Sequence, residues 1–218
     1  VTLTIANKGQ SDIEDVKVTM KVDAVPEIAP VRMGNEVIVQ EIAAGESQEV
    51  SFTIVIDPST EVQIYKVPIE LAYQDERGNS YEKTTDVAIV VDAEPEYVLN
   101  VEESEVYAAK QKGNIVVSLS NIGMSEIKYA TLTLEPSDYY TVLSTDTTYL
   151  GNLESDDYET AQFTIYTNDY VEELPLHFVL VYKDAYNKNY EDEMTVTTKL
   201  FTGLQARKYG LKEGNGGI

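Results

Sequence analysis

The chain contains 218 residues, which is enough for one large domain or two domains of about 100 residues, and either can bury a core without covalent cross-links. Its 38 acidic and 16 basic residues give a net charge of −22, which opposes binding to nucleic-acid phosphates and anionic lipid headgroups. The absence of cysteine excludes disulfides, thiolate nucleophiles and cysteine-ligated zinc. Because of this negative charge, we expect no nucleic-acid partner.

The first elements are two strand-like runs separated by a polar turn. The sequence Asn-x-Gly-x-Ser at residues 7–11 is typical of a turn. After it, Val16, Val18 and Met20 alternate with polar residues, as expected for a strand with one buried face. The opening of the chain therefore predicts a strand, a turn and a second strand.

The same period of two continues through the first half of the chain. Val50, Phe52, Ile54 and Ile56 alternate with Ser51, Thr53 and Val55 after a turn at Gly45, and a further turn at residues 77–79 separates two later runs. Thr, Val, Ile and Tyr are frequent in these runs and suit a pleated surface. Because no segment has a convincing amphipathic helical pattern, we predict β-structure throughout.

The second half of the chain repeats the first. Residues 1–20 align with residues 115–134 without a gap, and most positions keep their apolar or polar character. The identical pairs are Asn7/Asn121, Gly9/Gly123, Ser11/Ser125, Ile13/Ile127 and Thr19/Thr133. The alignment therefore predicts two copies of one domain.

The alignment continues towards the end of each copy. Residues 52–54 align with residues 163–165, and Tyr73 aligns with Tyr182. The offset changes slightly along the chain, which requires only small differences in loop length. The predicted boundaries are residues 1–92 for the first repeat, 95–202 for the second, and 203–218 for a basic, glycine-rich tail.

Six or seven short strands per repeat predict an all-β protein of two tandem immunoglobulin-like β-sandwich domains, followed by a flexible C-terminal tail. The short junction at residues 92–96 contains one proline, which favours an end-to-end arrangement with restricted flexing. The predicted core set Val16, Val18, Phe52, Ile54 and Tyr73 should correspond to Ala130, Leu132, Phe163, Ile165 and Tyr182. Deletion of residues 205–218 should leave the melting temperature nearly unchanged.

Three motifs, in the same order in each repeat, resemble a known family. They are the Asn-x-Gly-x-Ser turn before a Val-x-Val strand, a central Val-x-Phe-x-Ile strand, and a final hairpin with Tyr-x-Asp, a turn and Tyr-Glu. The set resembles the immunoglobulin-like repeats of archaeal and bacterial surface proteins described as S-layer-domain-like, which are related to CARDB cell-adhesion domains. The second repeat departs from the pattern by lacking the glycine of the central turn and by two extra residues between Pro175 and Tyr182.

This resemblance implies a non-enzymatic structural or adhesive module outside the cell, such as an S-layer-associated spacer. Its implied partners are other surface proteins or copies of itself, with membrane attachment only through an anchor after Ile218. It implies no catalytic residues and no cofactor. The alternatives are a carbohydrate- or calcium-binding module and an accessory domain of a larger surface hydrolase.

His177, the single histidine, is the first candidate for chemistry. A hydrolytic triad also needs a nucleophile and an orienting carboxylate, and no signature of the GxSxG type is present. Glycosidases place paired carboxylates in clefts with aromatic platforms, whereas this chain has no tryptophan. We therefore predict a structural or surface role for His177.

Three acidic clusters are the candidates for a calcium site, because calcium prefers several carboxylate and carbonyl oxygens. The clusters are Glu102, Glu103 and Glu105; Glu154, Asp156, Asp157 and Glu159; and Glu191, Asp192 and Glu193. None has the spacing of a dedicated calcium loop, and neighbouring strand residues point to opposite faces. A solvated anionic surface is therefore the favoured interpretation.

Tyrosine is unusually frequent, with sixteen residues against four phenylalanines. Its ring can pack while its hydroxyl stays wet, which suits both sandwich edges and contact surfaces. The pairs Tyr139/Tyr140 and Tyr186/Tyr190 are candidates for a sugar- or protein-binding patch. Packing within and across strands is the favoured role for most tyrosines.

The second repeat opens with an additional segment, residues 95–114, which contains strand-like runs at 97–101 and 105–109. The first repeat starts at the strand that follows this segment, so we predict that it lacks an N-terminal strand and has an unpaired edge. The missing strand belongs either to protein outside this sequence or to a neighbouring copy, with Lys199–Ala206 as the predicted donor.

Overall fold

The computed structural model describes residues 1–32 and 34–211. Strands account for 59% of the chain and helices for 4%, whereas helices account for about a third of an average globular protein. The prediction of an all-β, immunoglobulin-like fold is confirmed. The chain forms two compact units, Val1–Asp92 and Ala93–Ile218.

The first unit contains two ladders and one larger sheet in its described residues. Its strands are β1 (Thr2–Ala6), β2 (Ile13–Met20), β3 (Ile28–Pro30), β4 (Glu36–Ile42), β5 (Ser47–Ser51), β6 (Ile54–Ile56), β7 (Ile64–Asp75) and β8 (Ser80–Val90). The larger sheet has the order β4-β2-β7-β8. The opposite layer consists of the pairs β1-β5 and β3-β6.

The second unit contains two complete four-stranded sheets. Its strands are β9 (Tyr97–Ser104), β10 (Lys112–Asn121), β11 (Ile127–Leu134), β12 (Tyr140–Val142), β13 (Thr147–Leu153), β14 (Tyr158–Thr167), β15 (Glu173–Lys183) and β16 (Asn189–Lys199). The sheet orders are β13-β11-β15-β16 and β12-β14-β10-β9. The sheet β13-β11-β15-β16 is equivalent to β4-β2-β7-β8 of the first unit. In the other sheet, β9 has no counterpart among the described residues of the first unit.

The two cores are built from equivalent positions, as the alignment predicts. Of the five predicted core residues of the first unit, Val16, Val18 and Phe52 are buried. All five predicted core residues of the second unit are buried, namely Ala130, Leu132, Phe163, Ile165 and Tyr182. Ile54 and Tyr73 are only half-buried although they pack against the core. The first unit is therefore less completely covered than the second.

The Asn-x-Gly-x-Ser motif forms the same buried turn in both units. The Asn121 side-chain amide donates to the carbonyls of Ser125 and Leu153 at 2.9 and 3.1 Å, and its oxygen accepts from the Gly123 N–H. Asn7 makes the corresponding three bonds in the first unit. Asparagine is required here because its amide both donates and accepts, so it satisfies backbone groups that the turn removes from water.

The same irregularity occurs in equivalent strands of the two units. Asp15 and Tyr129 have φ angles of 50° and 55° and occupy equivalent positions in β2 and β11. The pairing register with the neighbouring strand shifts around each of them, as expected for a β-bulge. A left-handed conformation is unfavourable for tyrosine, so the pairing of β11 with β13 and β15 must hold this bulge in place.

Two predicted elements differ from the structure. Residues 105–109 form a loop rather than a second strand before β10, and Val106 within that loop is buried. The predicted flexible tail begins instead with a short helix, α1 (Gly203–Lys208), capped by Thr202. Within α1, Ala206 is 0% exposed, so this segment is folded against the second unit. The remainder of the predicted tail, residues 212–218, lies outside the described residues.

Candidate contact edge of the first unit

The edge of β1 is the candidate functional site. The Val1 and Phe52 backbones exchange hydrogen bonds, and the Asn7 N–H donates to the Glu46 carbonyl. Because antiparallel bonds alternate, the backbone groups of Thr2, Thr4 and Ala6 point away from β5. No other strand of the described chain pairs with β1, so these groups form an open edge.

The equivalent edge in the second unit is covered by β9. Ser118 and Ser120 of β10 lie opposite Asn100 and Val98 of β9, at the positions that correspond to Thr4 and Ala6. β9 also contributes a buried leucine, Leu99, to the core of that unit. The structure therefore shows, within one polypeptide, the same edge once covered and once open.

Covering this edge changes the burial of the side chains beneath it. Val117 and Leu119 of β10 and Leu180 of β15 are 0% exposed. The first-unit counterparts Leu3, Ile5 and Leu71 are all only half-buried. An apolar strip in the first unit thus remains partly in contact with water.

At one end of the edge, a glycine allows another backbone segment to approach closely. In the second unit, the N–H groups of Ile122 and Gly123 donate to the Glu96 carbonyl at 2.9 and 3.1 Å. A Cβ atom on Gly123 would lie 2.9 Å from the Glu96 nitrogen, so only glycine allows this approach. Gly9 is the matching glycine, and a Cβ atom there would meet only atoms of its own turn, from Asn7 and Ser11.

A cleft of about 420 Å³ lies beside the open edge. Its walls include Ile5, Leu71, Tyr73, Tyr81 and Lys83. Tyr73 and Tyr81 are stacked with ring centroids 5.4 Å apart. The cleft therefore offers an aromatic wall, an aliphatic floor and charged groups of both signs, from Lys8 and Lys83 and from Asp12 and Asp75.

Tyr97 of β9 occupies the corresponding space in the second unit. Its ring lies edge-on to Tyr182 at 5.6 Å, and Tyr182 is stacked on Tyr190 at 5.1 Å. The Tyr97 and Tyr182 hydroxyls donate to the Asp192 carboxylate at 2.5 and 2.9 Å. Burial, followed by the hydrogen bonds to Asp192, raises the pKa values of both tyrosines well above their usual range.

The polar group at this position differs between the units. Lys83 aligns with Asp192, so an ammonium donor replaces a carboxylate acceptor. Nearby, Asp75 accepts bonds from the Asn79 side chain and backbone, from the Arg77 N–H and from the Tyr81 hydroxyl. These bonds, led by those from Asn79, lower the pKa of Asp75. The cleft thus keeps the tyrosine stack of the second unit with altered charge.

The predicted acidic clusters are not brought together as a metal site. Glu102 accepts from the Ser118 hydroxyl, Glu105 accepts from the Asn114 N–H, and Asp192 is engaged by two tyrosines. Within residues 1–32 and 34–211, no three acidic or histidine side chains are arranged to hold a metal ion.

His177 lies on the outer face of β15. Its Nδ1 is 2.9 Å from the hydroxyl of Thr195, its partner across the strands, and the side chain borders a shallow depression with Glu135, Glu191 and Glu193. The pair is a cross-strand contact on an exposed face.

The two predicted tyrosine pairs differ: Tyr139 and Tyr140 are separated by burial, whereas the Tyr186 N–H and the Tyr190 hydroxyl both donate to the Asp184 carboxylate. Tyr139 is exposed, whereas Tyr140 is 1% exposed and donates to the Glu135 carbonyl, so they form no joint patch. Tyr190 belongs to the stack with Tyr182 and bonds to Asp184. Sequence reasoning missed Tyr97 and Lys83, although the alignment of the two repeats already places Lys83 opposite Asp192.

Comparisons with known proteins support the family resemblance for the first unit. The CARDB family matches residues 1–74. The uncharacterized protein MJ1561 of Methanocaldococcus jannaschii is 26% identical over 144 residues, which are 64% of this chain. The chain covers only 26% of the length of that relative.

The solved structures that match this chain have low similarity scores. The major pilin subunit BcpA of Bacillus cereus, as its D312A variant, covers 93% of this chain and 70% of its own, with 10% identity and a TM-score of 0.35. The CupB2 chaperone of Pseudomonas aeruginosa covers 90% of this chain and 92% of its own, with 9% identity and a TM-score of 0.31. Because these scores are too low to establish a shared fold, the fold assignment rests on the strand pairing.

No helix in the described part of the chain is long and apolar enough to cross a membrane. The first unit combines a β-sandwich core, the Asn7 turn and a sequence match that covers most of its length. Residues 1–74 therefore match the CARDB family, an immunoglobulin-like domain of the surface-protein type.

Proposed function

We propose that the chain is a non-enzymatic structural or adhesive module of the cell surface, in which two β-sandwich domains act as an S-layer-associated spacer. The observation that carries this proposal is the CARDB match over residues 1–74, a family of surface-type, non-catalytic domains. The second unit repeats the buried Asn turn and the β13-β11-β15-β16 sheet, so the same role extends to it.

The physical properties of the chain are consistent with that role. The second unit has two continuous sheets around a buried core, which resists local opening, as a spacer requires. The net charge of −22 keeps neighbouring molecules apart and favours solubility at high local concentration. In such a module, specific contacts are concentrated at a few edges rather than in a deep cleft.

Localisation on intact cells tests the proposal directly. Antibodies raised against residues 1–211 should label unpermeabilised cells of the organism that produces the chain, and the label should follow the surface layer when that layer is extracted. A cytoplasmic marker protein serves as the control for cell integrity. Labelling that requires cell lysis would refute a surface role.

Ligand titrations separate the spacer from a binding module. Calorimetric titration with calcium and a glycan array should both give no specific signal, because the acidic side chains are engaged or dispersed. Saturable binding of calcium or of one glycan class would replace the spacer function with ligand recognition.

A further inference from the structure

We propose that the open edge of β1 and the adjoining cleft bind an extended polypeptide segment from outside residues 1–218, which pairs antiparallel with β1 and places an aromatic side chain in the cleft. This inference deepens the proposed function, on which it rests, because it names the kind of partner that a surface module would hold. The second unit provides the template, since β9 does the same on β10.

The backbone of β1 supports the pairing. Thr2, Thr4 and Ala6 direct their N–H and C=O groups to the free side, in the positions where β10 bonds to β9. Such a row of unpaired groups is a template for another strand. Gly9 leaves the end of the row free for a close backbone approach, as Gly123 does for Glu96.

The side chains define what the segment must carry. Tyr97 and Leu99 of β9, two residues apart, fill the space above the core of the second unit. The first unit retains the tyrosine stack and the apolar strip of Leu3, Ile5 and Leu71, but these residues are left half-buried. The expected segment therefore has the pattern aromatic-x-aliphatic.

The position of Lys83 adds a polar requirement. In the second unit the Tyr97 hydroxyl donates to Asp192, whereas an ammonium group at position 83 can only donate. A bound tyrosine can accept a hydrogen bond from this ammonium group through its hydroxyl oxygen. A carboxylate at position 83 would reproduce Asp192 of the second unit and should strengthen the binding of a tyrosine.

Within the described residues, neither β9 nor the predicted donor segment is free to pair with β1. β9 is already paired with β10, and the predicted donor Lys199–Ala206 is part of the second unit. In that segment Leu200 is 1% and Ala206 0% exposed, and the Phe201 N–H donates to the Tyr107 carbonyl. Leu200 and Ala206 are therefore already packed in the second unit, which argues against the predicted donor role of Lys199–Ala206.

Peptide binding to the full chain tests the inference. The probe is a fluorescein-labelled peptide with the sequence of residues 96–104, EYVLNVEES, measured by fluorescence anisotropy. The control peptide replaces its tyrosine with serine. The unmodified peptide should bind saturably, and the control should bind about tenfold more weakly, since aromatic packing and one hydrogen bond are lost.

A pair of proline variants locates the binding edge. Thr4→Pro removes an N–H that points to the free side of β1, so affinity should fall about tenfold. Thr84→Pro removes an equally outward N–H from the free edge of β8 and should leave affinity unchanged. Lys83→Asp should tighten binding several-fold. Circular dichroism of each variant confirms that the fold is retained.

Three results would overturn the inference: no saturable binding of the peptide, equal binding by Thr4→Pro, or equal binding of the serine control peptide. Self-association of the free chain that Thr4→Pro abolishes would instead assign the edge to a second copy, against this proposal. None of these results bears on cell-surface labelling, so the strand-binding inference and the surface role fail separately.

Discussion

The Tyr97 hydroxyl donates a hydrogen bond of 2.5 Å to Oδ2 of Asp192, and the Tyr182 hydroxyl donates a second bond of 2.9 Å to the same atom. Tyr97 lies on β9 and Asp192 on β16, so this carboxylate joins an edge strand of one sheet to an edge strand of the other. This contact links the two sheets of the second unit beside β10. The equivalent edge of the first unit, at β1, has no covering strand among the described residues.

Removal of the Tyr97 hydroxyl should weaken the second unit. Tyr97→Phe keeps the edge-on ring contact with Tyr182 but loses a half-buried bond to a charged acceptor, which costs about 1–2 kcal/mol. Urea unfolding of the full chain, followed through the amide signals of β10, measures the change. Tyr149→Phe, at a side chain 64% exposed, should be neutral, and equal effects of the two variants would contradict the role of Asp192.

The same pair predicts a loss of stability at high pH. Burial and the bonds to Asp192 raise the native pKa values of Tyr97 and Tyr182 above the ordinary value of about 10, so the unfolded chain releases these protons first. Their contribution is therefore complete below about pH 10 and is lost as the pH rises through the native pKa values.

Thermal unfolding between about pH 9 and pH 12 tests whether stability falls as the pH rises. The unfolding midpoint of the second unit should fall across this range, and the double variant Tyr97→Phe/Tyr182→Phe should show a flatter dependence. Parallel curves for the two proteins would mean that these hydroxyls titrate normally.

The buried turn should depend on its asparagine. Asn121→Ala leaves the Ser125 and Leu153 carbonyls and the Gly123 N–H without the bonds that the side chain supplies. We expect a loss of about 2–4 kcal/mol, because unsatisfied buried groups keep their full desolvation cost. Denaturant unfolding measures it. Asn189→Ala, at an exposed position, is the matched control and should change stability by less than about 0.5 kcal/mol.

The C-terminal helix should contribute to folding rather than serve as a tether. Ala206 is 0% and Leu204 82% exposed on the same short helix. Ala206→Asp should destabilise the second unit by about 2–4 kcal/mol because it buries an unpaired carboxylate, whereas Leu204→Asp should be nearly neutral. Thermal denaturation compares them. An unchanged melting temperature for Ala206→Asp, or for deletion of residues 205–218, would restore the interpretation of this segment as a free tail.

Local pattern was sufficient to predict the strands and the duplicated turn. Val16 and Val18 alternate with polar residues because each strand has one face on the core, and this period is visible in any strand of a sandwich. The Asn7 and Asn121 turns were predictable because asparagine and glycine suit tight turns for reasons internal to a few residues. The absence of a β9 counterpart in the first unit followed from the alignment of the two repeats alone.

Other features depended on contacts between residues far apart in the sequence. The sequence of residues 203–208 is rich in good helix formers, yet the basic, glycine-rich surroundings favoured a linker, and only the burial of Ala206 shows that the helix is part of the fold. The left-handed Tyr129 is held by pairing on both sides of β11, which its own sequence does not indicate.

The candidate site was likewise predictable from the sequence only in part. The sequence by itself determined that the first repeat starts one strand later than the second and that Lys83 stands where the second repeat has Asp192. Only the tertiary structure decided that Tyr97 and Asp192, 95 residues apart, meet beside the edge of β10 and that the matching space in the first unit is an aromatic cleft. The reason is physical: strand pairing and side-chain packing bring these groups together across the two sheets, and no local period records which distant strands will be neighbours.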